Sequence, residues 1–389
     1  MILNSYIITY LVCSSLSLFI GLLAAVNGFL VWKKWDITNP ADEQYRLEKR
    51  VYLIITILSL GFFLRLLMVP LWFWTLHSMI ISIPGAMCLV GVHNIDAPIS
   101  YIASGLKLIL PALYGYWLIL NLLDRYVPTQ PFLKQKLMFL TPLGILILAE
   151  TILDASFLFS TPPRQVSCCT SLFDVPREDI PQIVTESTWI WVVIFYVLAL
   201  FILGEIVYFL IAQKKSALPN RGRWFGKKSL TFFETLAIFL LLVVFILALQ
   251  TRISPLFLGL PFHHCIFCLL QEVWDAPLFF SIIFIGLTLF LIYFWVVSSA
   301  NYKDVNEVLM EKMARLLKWS GYMLAGGLII LSIHLFLALR RLRFPPLPPL
   351  GKWGGGGFSG ERIVNYETEK NYSLDSVSYS LSRFSCPRI

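Results

Sequence analysis

The sequence predicts an all-α integral membrane protein of about eight transmembrane helices, built as two tandem four-helix repeats with both termini extracytoplasmic. Three observations predict it. The chain of 389 residues is 58% hydrophobic and only 14% charged, with a mean hydropathy of +0.75, which excludes an ordinary water-soluble globule. Its apolar residues fall in blocks of about 20 or more, the length a helix needs to cross the hydrocarbon core, and in lipid each block must satisfy its own backbone hydrogen bonds as a helix. Short motifs between the blocks recur at an offset of about 180 residues.

The blocks place spans at 6–32, 51–76, 98–123, 137–160, 188–212, 230–251, 276–299 and 317–339. Alternate connectors are basic. The first-to-second carries Lys33, Lys34, Arg46, Lys49 and Arg50, and the third-to-fourth Arg125, Lys134 and Lys136. The fifth-to-sixth carries Lys214, Lys215, Arg221, Arg223, Lys227 and Lys228, and the seventh-to-eighth Lys303, Lys312, Arg315 and Lys318. The intervening connectors are nearly bare, with no cation in 77–97, Arg164 and Arg177 in 161–187, and Arg252 after the sixth span. The positive-inside rule puts the basic connectors in the cytoplasm and both termini outside. The start, MILNSYIITY, lacks the basic n-region of a cleaved signal peptide. Arg340, Arg341 and Arg343, just after the last span, run against the rule and are outweighed by four alternating connector pairs.

Segment boundaries follow: a first membrane repeat at 1–160, an external cysteine-containing connector at 161–187, a second repeat at 188–340, and a Pro/Gly-rich linker with a polar tail at 341–389. Lys33-Lys34 answers Lys214-Lys215, Lys49-Arg50 answers Lys227-Lys228, Cys88 answers Cys268, and Asp96-Ala97-Pro98 answers Asp275-Ala276-Pro277. Four spans is an even number, so the repeats share one orientation. Each Asp-Ala-Pro reads as a helix start, with proline in the first turn and an acid at the positive end.

The chemistry concentrates at His263-His264-Cys265-Ile266-Phe267-Cys268, a short external connector between two apolar spans. Cys88, Cys168, Cys169, Cys265 and Cys268 all fall in external connectors, Cys13 lies toward the outer end of the first span, and Cys386 is in the tail. In an oxidising compartment such thiols form structural disulfides. A Cys-x-x-Cys pair also supports thiol–disulfide exchange, Cys265 and Cys268 acting with Cys88 or the vicinal Cys168-Cys169 as a second couple and a neighbouring histidine lowering a thiol pKa. The third chemistry is metal binding, in which His263, His264, Cys265 and Cys268 suit a soft or borderline ion such as Cu(I) or Zn(II). The motif is not Cys-x-x-Cys-His, which argues against covalent haem attachment. His77 and His93, in the connector with Cys88, read as interfacial residues within reach of a metal.

Four charges sit inside the first repeat: Arg65, Lys107, Glu150 and Asp154. At 1.5 Å per residue the first three lie roughly 14–17 Å below the external helix ends and Asp154 about 9 Å. Facing lipid each would cost a few kcal/mol or more, so they are expected to pair with one another, either as a packing network or as a polar pocket for protons, an ion or a quinone head group. The second repeat does not keep them. Glu205, toward the cytoplasmic end of the fifth span, has no evident partner, and His334 reads as a packed helix residue.

The function expected first is membrane-linked thiol–disulfide electron transfer with a quinone in the polar pocket. In arrangement alone, external cysteines above a helical bundle, the chain is similar to the disulfide-bond-forming and vitamin K epoxide reductase membrane proteins, with no matching stretch. The alternatives are a Cu or Zn binding or transport protein, and a non-catalytic anchor for an extracytoplasmic partner. The expected partners are the lipid bilayer and an extracytoplasmic redox or metal-carrying protein. The expected location is a bacterial inner membrane with the cysteine loops facing the periplasm. The net charge of +8 sits in short connectors and is no nucleic-acid footprint. No phosphate-cradling loop or hydrolase elbow occurs.

Overall fold

Apolar blocks that close their hydrogen bonds internally leave a fold of long helices joined by short caps. A computed structural model describes residues 4–34, 42–126, 130, 132–160, 166, 189–215, 228–260, 263–299 and 307–343, and these are almost entirely helical. The first half contains α1 (Ser5–Lys34), α2 (Asp42–Met79), the short α3 (Leu89–His93), α4 (Ala97–Asp124) and α5 (Leu133–Leu158). The second contains α6 (Trp189–Lys215), α7 (Lys228–Ala248), α8 (Ser254–Leu258), α9 (Ile266–Glu272), α10 (Ala276–Ser299) and α11 (Glu307–Arg343). Among the described residues, eight segments are long and apolar enough to cross a membrane, one at each predicted span. The tail and nearly all of the 161–187 connector, with Cys168, Cys169 and Cys386, lie outside the described residues.

Three spans overrun the predicted ends the furthest. α2 begins at Asp42 and α11 at Glu307, because charged turns such as DEQYRLEK end a hydropathy window without ending a helix. The sixth span, predicted at 230–251, runs over Ser229–Leu258. Pro255 has no N–H to return to Thr251, and a π-helical turn at Leu249–Ile253 carries the backbone across that gap into α8. Gly259, at φ 68°, then closes α8 in the left-handed region.

In the first half α1 packs on α2 and α5, and α4 packs on the same two helices; in the second, α6 and α10 each pack on α7 and α11. The halves meet where α4 lies against α10 and α3 against α9. Tyr116 stacks edge-on against Trp295 at 5.5 Å, and its hydroxyl lies 2.8 Å from Ser299 Oγ across that seam. Outward-facing Leu53, Leu60, Phe232 and Phe239 are exposed, a surface suited to a lipid bilayer and not to water.

Candidate functional site

Two short helices carry the cysteines. Cys88 is the N-cap of α3 and Cys265 the N-cap of α9, with Cys268 one turn into α9. A three-residue step along a helix returns to the same face, so the Cys-x-x-Cys spacing points both its sulfurs one way. Gly91 lets the preceding chain fold back over α3, since a Cβ there would stand 2.7 Å from Ala86 Cα. On the other side the Ser254 hydroxyl donates to Cys265 O at 2.8 Å, tying the N-cap of α9 to the start of α8.

Where α3 meets α9, the sulfurs of Cys88, Cys265 and Cys268 all lie within 4.8 Å of one another. All three residues are buried, packed with Val90, Met87, Leu258 and Phe267, and no disulfide joins them. Cys88 and Cys265 are positional counterparts, each capping a short helix just ahead of an Asp-Ala-Pro helix start. The sequence offset paired Cys88 with Cys268 instead. Asp96 is the N-cap of α4 with Pro98 in the first turn, although its carboxylate makes no capping hydrogen bond.

The histidines divide. His264 is held away from the sulfurs, its Nδ1–H donating to Gln250 O at 2.8 Å. His263 is buried, with its backbone N–H bonded to Leu260 O. Neither imidazole belongs to the sulfur cluster. His93, which the sequence left as an interfacial residue, ends α3 fully buried. Its ring stacks on Tyr101 at 5.0 Å and meets Phe267, the residue between the two α9 cysteines, at 5.3 Å. Neither ring nitrogen has a hydrogen-bond partner, a condition that costs about 1–3 kcal/mol per buried polar group. Burial pushes the imidazole pKa down to about 4, against a smaller upward pull from Cys88, so the ring is neutral with a lone pair available.

The intramembrane charges form a separate network. Arg65 bonds Glu150 at 3.2 Å and Thr151 at 2.7 Å; Lys107 bonds Glu150, and Asp154 at 2.6 Å. Tyr10 donates to Asp154 at 2.6 Å and Tyr114 to Glu150 at 2.9 Å, while Lys107 lies over the Tyr10 and Trp72 rings. Two cations and two carboxylates balance. Successive turns of α4 set the vertical order: Ser100 donates to His93 O, Ser104 accepts from the Trp72 indole, and Lys107 reaches the carboxylates. An aromatic layer at Trp72 therefore separates the charges from the sulfur cap.

Sequence reasoning missed two polar pairings. Lys136, placed in a cytoplasmic connector, is buried in α5, 2.7 Å from Asp124 and 3.2 Å from Asn121. Opposite charges at the two ends of a short connector in the sequence were the signal available. Glu205 shares a side-chain hydrogen bond with Glu234 of α7. At the sulfur-bearing end of the second half, Asp275 lies 2.6 Å from His334 at the edge of a cavity of about 400 Å³. Leu258 lines this cavity and also packs against the cysteines.

No protein-family model matches the chain, and neither a curated protein nor a solved structure matches it. Fold and site define a class: a membrane-like helical protein with, among the described residues, eight candidate spans and a buried cluster of three cysteines where its halves meet.

Proposed function

We propose that Cys88, Cys265 and Cys268 form a soft-metal centre at the extracytoplasmic seam between the halves. The observation that carries this is the convergence of three sulfurs, from two distant parts of the chain, within 4.8 Å of one another. Sulfurs bound at about 2.3 Å to one tetrahedral or trigonal ion stand about 3.7–4.0 Å apart, so ligation asks for a small contraction. The three converged donors are thiols, which suit Zn(II) or Cu(I) over hard ions. Burial fits a metal clamp better than exchange with a protein disulfide, because exchange needs a sulfur that an incoming thiolate can reach. Such a centre fastens α3 to α9 and ligates across the two halves.

Elemental analysis of the full chain, purified under reducing, anaerobic conditions, tests it. One equivalent of metal is expected, lost in Cys88→Ser as well as in Cys265→Ser and Cys268→Ser. Wild-type protein that takes up no metal removes the proposal.

Thiol–disulfide exchange is the second reading, favoured by Cys265 capping α9 with Cys268 one turn in. A dithiol there giving two electrons and two protons to a quinone would become the Cys265–Cys268 disulfide. Alkylation trapping that finds both states, changing with quinone supply in metal-free protein, would favour this reading over the metal centre. The Arg65–Lys107–Glu150–Asp154 network, with its charges balanced and mutually bonded, we assign to packing of the first half.

The same reading takes the halves as tandem copies of one orientation in a bacterial plasma membrane, with the cysteine cap extracytoplasmic. Their shared helix adjacencies and their matched cysteine N-caps support the tandem arrangement, and the alternation of basic connectors supports the orientation.

A further inference from the structure

We infer that His93 is the fourth ligand of the sulfur centre, completing a Cys3His site that takes a tetrahedral divalent ion of the Zn(II) class. The inference rests on the metal reading of the three cysteines and adds to it a residue and a metal class.

Four observations lead to it. First, His93 is fully buried and neither ring nitrogen has a hydrogen-bond partner. Buried imidazoles in native proteins nearly always bond through at least one nitrogen, and a lone pair without a donor beside a trio of thiols has an evident use. Second, His93 belongs to the same five-residue helix that Cys88 caps, and its ring touches Phe267 between Cys265 and Cys268. One short helix thus supplies a sulfur and an imidazole, and the facing one supplies two sulfurs. Third, structural Zn(II) sites close with four ligands from cysteine and histidine, and three sulfurs with one imidazole make such a set. Fourth, three thiolates leave a net charge of −1 with a divalent ion and −2 with Cu(I), and an apolar shell of Val90, Met87 and Leu258 favours the smaller charge.

The His93 nitrogens stand outside the 4.8 Å sulfur group, so ligation requires the ring to leave its stack on Tyr101 and turn toward the sulfurs. His263 and His264, both buried, are the competing imidazoles. His264 has a fixed partner, its Nδ1–H being committed to Gln250 O.

X-ray absorption on the zinc-loaded full chain, with the Co(II) form examined optically, is the test. Wild type should show three sulfur neighbours and one imidazole, with the intense visible bands of tetrahedral Co(II). His93→Ala should keep the three sulfurs, lose the imidazole signature and bind Zn(II) at least tenfold more weakly; His264→Ala should match wild type. A wild-type site with four sulfurs, or three sulfurs and water, overturns the assignment, as does an imidazole signature that survives His93→Ala. These outcomes still leave a metal on the cysteines. Wild-type protein that binds neither Zn(II) nor Co(II) instead sinks the cysteine reading itself. The wild-type spectrum decides the case even where a variant fails to fold.

Discussion

Lys107 Nζ lies 2.6 Å from Asp154 Oδ2, and the same ammonium bonds Glu150, so one cation on α4 holds two carboxylates a turn apart on α5. Arg65 from α2 and Tyr10 from α1 close the arrangement, which draws every long helix of the first half into one buried network. In a low-dielectric interior the balance of such a network matters more than its bond count.

Removing a single partner should therefore be costly and removing a matched pair should not. Lys107→Met strands a carboxylate and is expected to destabilise the protein by about 3–5 kcal/mol. The double variant Lys107→Met with Asp154→Leu restores neutrality and keeps the Arg65–Glu150 pair, so it should unfold at a higher temperature than Lys107→Met alone. Thermal unfolding in detergent compares the two. A double variant less stable than the single would mean that the network acts through something other than charge balance.

Adjacent glycines give a second, sharper contrast. A Cβ on Gly327 would stand 3.2 Å from Ile283 N, in the α10–α11 contact, whereas a Cβ on Gly326 meets nothing within 4 Å. Close backbone approach at small residues is how helices associate in lipid, where no hydrophobic force drives them together. Gly327→Ala is expected to cost about 1–3 kcal/mol through overpacking, and Gly326→Ala to be neutral or slightly stabilising. Unfolding temperatures that fall equally for both would remove this account of the interface.

The sulfur cluster predicts a cross-link between the halves. In a chain carrying Cys168→Ser and Cys169→Ser and a protease site within 161–187, a short bifunctional thiol reagent should join the two cleavage products. Cys88→Ser should abolish the link, and zinc added first should protect against it. Products that separate on a denaturing gel after treatment in the metal-free state would contradict the 4.8 Å convergence.

Much of the fold was legible because lipid imposes a simple demand: about 20 apolar residues per crossing, each as a helix. The site was legible only in part. The internal offset brought Cys88 into view but paired it with Cys268, because counting at a fixed period ignores local length. Cys88 and Cys265 each cap their short helix, although Asp96 follows Cys88 by eight residues and Asp275 follows Cys265 by ten, so the structural counterpart is Cys265 and spacing alone hides it. His263 and His264 drew attention by adjacency in sequence, yet His264 is bonded to Gln250 O and neither joins the sulfur group. His93 was unremarkable in the sequence because its burial comes from α9 closing over α3, a contact between residues far apart in the chain. Lys136 was counted with the basic connectors for the same kind of reason, since its partner Asp124 lies across a loop that composition alone does not fold.

Orientation is the last expectation, and it bears on where the metal comes from. Ile81 and Trp274 are among the most exposed residues and lie at the sulfur-bearing end, while Glu311 and Arg315 form an exposed pair at the other. The basic connectors put the first end outside and the second in the cytoplasm. With Cys168→Ser, Cys169→Ser and Cys386→Ser as background, Ile81→Cys and Trp274→Cys should react with a membrane-impermeant maleimide on intact cells. Glu311→Cys should react only after the membrane is opened. Arg340, on the outer end by this assignment, has its guanidinium over the Phe336 ring, where stacking and the headgroup layer can hold a cation that the charge rule would place inside. The reverse labelling pattern would leave the cysteine centre intact but turn it to the cytoplasm. Its ligands would then be loaded from a reducing compartment, and the disulfide alternative would lose its chemical setting.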